Sequence, residues 1–80
     1  MIDRLSGKKI VGFKQSLKAI RNDNVKTVYI AKDADRKIFD QIKNAAEENS
    51  LHIVYVENMK ELGKLCGIDV GAATAAILND

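Results

Sequence analysis

Residues 25–35 read VKTVYIAKDAD, and two patterns meet inside them. Val25, Val28, Tyr29, Ile30 and Ala31 belong to a β-branched and aromatic run that predicts a strand over residues 25–31. The run ends at Lys32. Asp33 or Asp35 can then accept hydrogen bonds from free backbone N–H groups, as the cap of a helix reaching about Asn49. Ile38, Phe39, Ile42, Ala45 and Ala46 supply that helix with an apolar set. A strand passing into a helix through a short acidic turn is the first half of a β-α-β unit, and the flanking residues decide what it is built into.

Upstream, Ile10-Val11 reads as a short strand ended by Gly12, after which helical spacing takes over to about Asn22. Phe13, Leu17 and Ile20 share one stripe, while Lys14, Lys18 and Arg21 repeat the same spacing one residue along and face outward. Asn22-Asp23-Asn24 is a turn. Downstream, residues 51–56 (LHIVYV) form a third strand, and the nearly continuous apolar character of the second and third strands predicts burial on both faces. Asn58-Met59-Lys60-Glu61 resembles a capping box that opens a short helix, with Met59, Leu62 and Leu65 inward and Gly67 closing it. Residues 72–78 are alanine-rich and favour helix by propensity, but they follow a helix and a loop, so β-α alternation predicts a fourth strand. The resulting order predicts an α/β fold behind a short N-terminal helical turn: a compact three-layer α-β-α sandwich with a four-stranded mixed sheet, one domain over residues 1–80.

Composition agrees with one small core. Eighty residues, 46% apolar and 30% charged with no proline, are neither a disordered tail nor a low-complexity chain. No apolar run approaches the ~20 residues needed to cross a bilayer, and the start lacks a signal peptide's apolar stretch, so a cytoplasmic protein is expected. Charge is uneven. Residues 1–32 carry eight basic and two acidic side chains, against five and nine in residues 33–80, which predicts one basic face meeting a polyanion.

Catalytic chemistry has little to stand on. Cys66 sits beside Leu65 on a short amphipathic helix and reads as a buried structural thiol, and His52 begins a buried-looking strand with no second histidine to assist it. Asp33 and Asp35 lack the further oxygen ligands of a calcium loop. Gly63, Gly67 and Gly71 recur every four residues, but with Lys64 and Asp69 between them they read as backbone devices for a helix and a tight loop. No enzyme, metal or cofactor is expected.

Two segments remain. Gly12-Phe13-Lys14-Gln15-Ser16-Leu17-Lys18 is a strand-to-helix junction where free N–H groups and a positive dipole end meet two lysines, a combination that attracts phosphate. Gly67-Ile68-Asp69-Val70-Gly71-Ala72 is a glycine-bounded loop expected to expose two β-branched apolar side chains.

Together these segments resemble the kink-turn RNA-binding family of the large-subunit ribosomal protein seven-Ae, and the likeness covers nearly the whole chain. The family's Gly-x-Asn-Glu-x-x-Lys junction is matched by residues 12–18, its apolar strand and Ala-x-Asp turn by Tyr29-Ile30-Ala31-Lys32-Asp33, and its Leu-Gly helix with RNA-contacting loop by residues 62–73. Lys14 stands where the family typically has Asn, Gln15 where it has Glu, and Lys32 where Glu is common, a combination similar to the family's short bacterial paralogues.

The resemblance implies that the Gly12 junction enters the major groove of a sharply bent RNA beside tandem sheared G·A pairs. Gln15 would offer its carbonyl oxygen to a guanine N–H, and Lys14 and Lys18 would donate to guanine O6 or N7. Ile68 and Val70 would meet an extruded nucleotide, with Asp69 and the Gly71 backbone in the same loop. Asp33 falls in the matched turn, while Arg21 and Lys32 would neutralise phosphate. A monomer in the ribosome or another ribonucleoprotein is the implied setting. The competing readings are a protein-interaction adaptor on the same scaffold and a small phosphate-ligand enzyme using the Gly12 junction.

Overall fold

A computed structural model describes residues 8–79. The chain runs β1 (Lys9–Val11), α1 (Phe13–Arg21), β2 (Val25–Ala31), α2 (Arg36–Glu48), β3 (His52–Val56), α3 (Met59–Cys66) and β4 (Thr74–Leu78). The short N-terminal helical turn expected ahead of these elements lies outside the described residues. The four strands form one mixed sheet in the order β1-β4-β2-β3, parallel between β2 and β3 and antiparallel elsewhere.

Side-chain alternation along the strands divides the interior into two cores. Ile10, Val28, Ile30, Ala76 and Leu78 join Leu17 and Ile20 of α1 and Ile42, Ala45 and Ala46 of α2 on one face. Val11, Tyr29, Ala31, Ala75 and Val56 join Leu62 and Cys66 of α3 on the other. Those two faces make the three layers predicted from the sequence. Val25 is odd-numbered yet belongs to the even face, because the register with β4 shifts between Val25 and Thr27 and turns the strand's first residue over.

The alanine-rich segment is a strand, Thr74–Leu78, because tertiary context overrides its helix propensity. It lies between β1 and β2 with helices against both faces, and Thr74, Ala75, Ala76 and Ile77 are buried. Small side chains there let the helices approach the sheet.

Helix ends follow from individual side chains. Asp35, not Asp33, caps α2, its Oδ1 accepting from the Lys37 N–H at 2.9 Å. Asn58 Oδ1 accepts from the Glu61 N–H at 2.8 Å to start α3, and Gly67 ends it with φ 77°, a left-handed conformation that favours glycine.

The third strand departs from expectation. Being last in the sheet order, β3 pairs only with β2 and leaves His52 and Tyr55 exposed, so the predicted burial on both faces and the buried histidine are corrected. Tyr55 instead stacks on Phe39, with ring centroids 5.8 Å apart, and the Arg36 guanidinium lies 5.9 Å from the Phe39 ring. Hydropathy cannot distinguish an edge strand, covered only in part by helices on its two faces, from a strand enclosed between two neighbours.

Cys66 is 5% exposed, and burial pushes its thiol up from the ordinary value while the Lys9 charge opposes the shift. The folded thiol is therefore both shielded and protonated at neutral pH. Iodoacetamide is expected to label it at least about tenfold more slowly in the native protein than in denaturant. Equal rates followed by mass spectrometry would show Cys66 to be open. Because the folded value lies above the unfolded one, any contribution of this group to stability is intact below the unfolded thiol's range and declines as pH rises through the folded value.

Candidate nucleic-acid interface

Strand directions bring the two segments singled out in the sequence to one end of the sheet. β4 runs opposite to β1 and β2, so its beginning lies beside their ends. Three backbone hydrogen bonds join that edge: Gly12 N–H to Thr74 O at 3.0 Å, Ala31 N–H to Ala73 O at 2.9 Å, and Lys32 N–H to Val56 O at 2.8 Å. The Gly12 junction, the Lys32-Asp33 turn and the loop leading into β4 are thereby neighbours.

Gly12 leads into α1 with φ 109° and ψ 159°, a conformation that side-chain-bearing residues rarely adopt, although a Cβ there would meet nothing within 4 Å. Backbone shape, not space, requires glycine at this position. Among the described residues, no side chain caps α1 and no acidic residue occupies its first turn, so none of them sets a carboxylate against its early N–H groups and positive dipole end. Lys14, Lys18 and Arg21 are exposed, as the outward stripe predicts, Gln15 is exposed beside them, and Leu17 and Ile20 are buried beneath. Gln15 and Lys18 also line an open groove with Ile10, Ala19, Asn22 and Asn24.

Lys32 and Asp33 are both exposed and both engaged. Lys32 Nζ lies 3.4 Å from Glu57 Oε2, an ion pair open enough to water to bind weakly. Asp33 Oδ1 accepts from the Met59 N–H at 2.8 Å, across 26 positions of sequence. Of the two acids read as candidate caps of α2, Asp33 therefore serves the start of α3.

The loop presents its apolar residues differently from expectation. Val70 is 69% exposed and forms the hydrophobic tip. Ile68 is half-buried against the second core, and its N–H donates to Gly63 O at 3.0 Å, so it supports the tip more than it shares it. Asp69 and Gly71 are exposed. Gly71 nonetheless has an interior constraint, since a Cβ on it would stand 3.2 Å from Met59 Cβ.

Two residues named in the sequence reading hold the loop in roles that reading did not give them. Gly63, in the middle of α3, lies directly against the Val70 carbonyl and seats the loop. Met59 holds the same loop from the helix start, its carbonyl accepting from the Ala72 N–H at 3.0 Å. A glycine inside a helical pattern was the only available signal for the first. For the second, the capping box marked a helix start and an inward side chain but not a contact with the loop.

The face that results is basic along α1, apolar at Val70, and mixed in charge around Lys32, Glu57 and Asp33. Among the described residues, no group of three or more His, Cys, Asp or Glu side chains could hold a metal ion, and no helix is long and apolar enough to cross a membrane.

Known proteins resemble this chain in sequence and fold. The chain is 55% identical over 76 residues to an RNA-binding protein of Caldanaerobacter subterraneus subsp. tengcongensis, covering 95% of this chain and 93% of that one. It is 41% identical over 73 residues to RNA-binding protein YbxF of Geobacillus stearothermophilus, covering 91% and 89%. Among solved structures, a 15.5kD RNA binding protein of Giardia lamblia superposes with a TM-score of 0.82 at 26% identity, over 90% of this chain and 61% of that one. Residues 4–80 match the family described as the ribosomal protein L7Ae/L30e/S12e/Gadd45 family. With its sheet order, its acid-free α1 start and its glycine-seated loop accounted for, the chain belongs to the ribosomal protein L7Ae/L30e/S12e/Gadd45 family, among relatives named as RNA-binding proteins.

Proposed function

We propose that this protein is a non-catalytic RNA-binding protein, one domain over residues 1–80, that recognises and stabilises kink-turn RNA as a monomer in the cytoplasm, on the ribosome or another ribonucleoprotein. The observation that carries the reading is the Gly12–Thr74 hydrogen bond, which sets the cationic start of α1 beside the strand that the Val70 loop leads into. An A-form major groove is too narrow for side chains, but a kink flanked by sheared G·A pairs opens it to a helix start.

In this reading Gly12 allows the close turn, Lys14 and Lys18 donate to guanine O6 or N7, and Gln15 accepts from a guanine N–H. Gln15 does so without carrying a negative charge into a phosphate-rich groove. Arg21 and Lys32 meet phosphates and supply affinity without sequence information. Val70 contacts a nucleotide turned out at the kink, Ile68 supports it from below, and Asp69 and the Gly71 backbone border the same base. Asp33 belongs to this surface as well.

An RNA that alternates between open and kinked forms is trapped by a protein that binds only the kinked one. Moving it from 1:99 to 99:1 takes about 5.5 kcal/mol of differential affinity, within reach of several charge-assisted contacts and one covered base. An end-labelled kink-turn duplex without magnesium is expected to shorten on addition of the protein. It should fail to shorten when the G·A pairs are replaced by Watson–Crick pairs, and Val70→Asp should weaken binding without unfolding the protein. Unchanged energy transfer at saturating protein would reject the reading.

A further inference from the structure

The loop that presents Val70 is attached to α3 at two residues, Gly63 in the middle of the helix and Met59 at its start. Met59 accepts the Ala72 N–H on its carbonyl at 3.0 Å, and its side chain lies where any Cβ on Gly71 would press. The end of the loop at Gly71 and Ala72 is therefore positioned by where the first residue of α3 sits. Two side chains act at that helix start. Asn58 accepts from the Glu61 N–H, and Asp33 accepts from the N–H of Met59 itself at 2.8 Å. The Met59 N–H has no partner within its own helix, and a carboxylate near a helix N-terminus also opposes the positive dipole end.

We infer that Asp33 is a positioning residue of the RNA-binding face: it reaches from the end of β2 to the Met59 N–H and, through Met59, fixes the 68–72 loop that carries Val70. The inference rests on the reading of this face as the RNA-binding one. Asp33 then contributes to affinity as a hydrogen-bond acceptor toward the protein's own backbone, not as a negative charge toward RNA. Turn, helix start and loop become one unit. The neighbouring Lys32–Glu57 pair ties the same turn to the end of β3.

Asp33→Asn keeps an acceptor oxygen and removes the charge, whereas Asp33→Ala removes both. Amide hydrogen exchange in the free protein reads the unit without RNA. In Asp33→Ala, exchange at Met59 and Ala72 should accelerate beyond any change at Val28 and Ala76 by about tenfold, and kink-turn affinity should fall by about tenfold. Asp33→Asn should restore both to within about threefold of the parent. Parental Ala72 exchange in Asp33→Ala would overturn the inference. So would an Asn variant with parental exchange that binds RNA as poorly as the Ala variant, since the charge itself would then be what RNA uses. If the parent protein does not fold a kink-turn at all, the proposed function fails separately, and the exchange comparison still decides whether Asp33 holds the loop.

Discussion

Gly63→Ala is expected to destabilise the protein by about 2 kcal/mol and lower its melting temperature by about 10 °C, although alanine is the better helix former. Propensity alone favours the substitution by about 1 kcal/mol. Against it, a Cβ at position 63 would overlap the Val70 carbonyl oxygen and stand 3.0 Å from the Val70 carbonyl carbon and 3.2 Å from Gly71 Cα. These are backbone atoms, and no rotamer change moves them aside. The helix cannot retreat either, because Leu62 is fully buried and Cys66 is 5% exposed on the side facing the sheet. The loop must lift instead, straining the Ile68–Gly63 and Ala72–Met59 hydrogen bonds and displacing Val70. Thermal melting and RNA titration should move together. A variant with parental melting temperature and parental affinity would show that the loop yields freely and that Gly63 is not its seat.

The double variant Lys14→Glu, Lys18→Glu should behave in the opposite way, with folding unchanged and binding nearly abolished. Both lysines are exposed, and among the described residues neither is in an ion pair. Surface changes of this kind shift stability by roughly 0.5 kcal/mol or less, and the helix dipole favours a glutamate at position 14 in the first turn of α1 while disfavouring one at position 18 in the last, so the two effects largely offset. RNA binding would lose two charge-assisted contacts at about 1.5–3 kcal/mol each, before any repulsion is counted. Together that is a loss of roughly two to four orders of magnitude in affinity. Circular dichroism checks the first half of the expectation and fluorescence titration with labelled RNA the second. Undiminished affinity would remove α1 from the interface and with it the proposed function.

Legibility in the sequence followed the range of the forces involved. The strand over residues 25–31, the stripe of Leu17 and Ile20 under Lys14, Lys18 and Arg21, the Asn58 cap and the Gly67 stop depend on neighbours a few positions away. Each appears where its pattern places it. The fourth strand was legible only through alternation, since its alanines argue locally for helix. Two features were misread for one physical reason. Residues 51–56 have the hydropathy of an enclosed strand and occupy an edge. Ile68 has the character of an exposed tip and is half-buried against the α3 core. In each case the deciding partner is remote in sequence or is backbone, and neither leaves a residue pattern to read.

By itself the sequence determined the kind and order of the described elements and the cationic outward stripe of α1, because periodicity, capping and charge act within a turn or two of chain. Tertiary structure alone decided that Gly12, Lys32 and the Val70 loop share one edge. That edge is drawn together by N–H groups of residues 12, 31 and 32 donating to carbonyls of residues 74, 73 and 56. Backbone hydrogen bonds of this kind carry no side-chain signature, so only strand order and direction could reveal them.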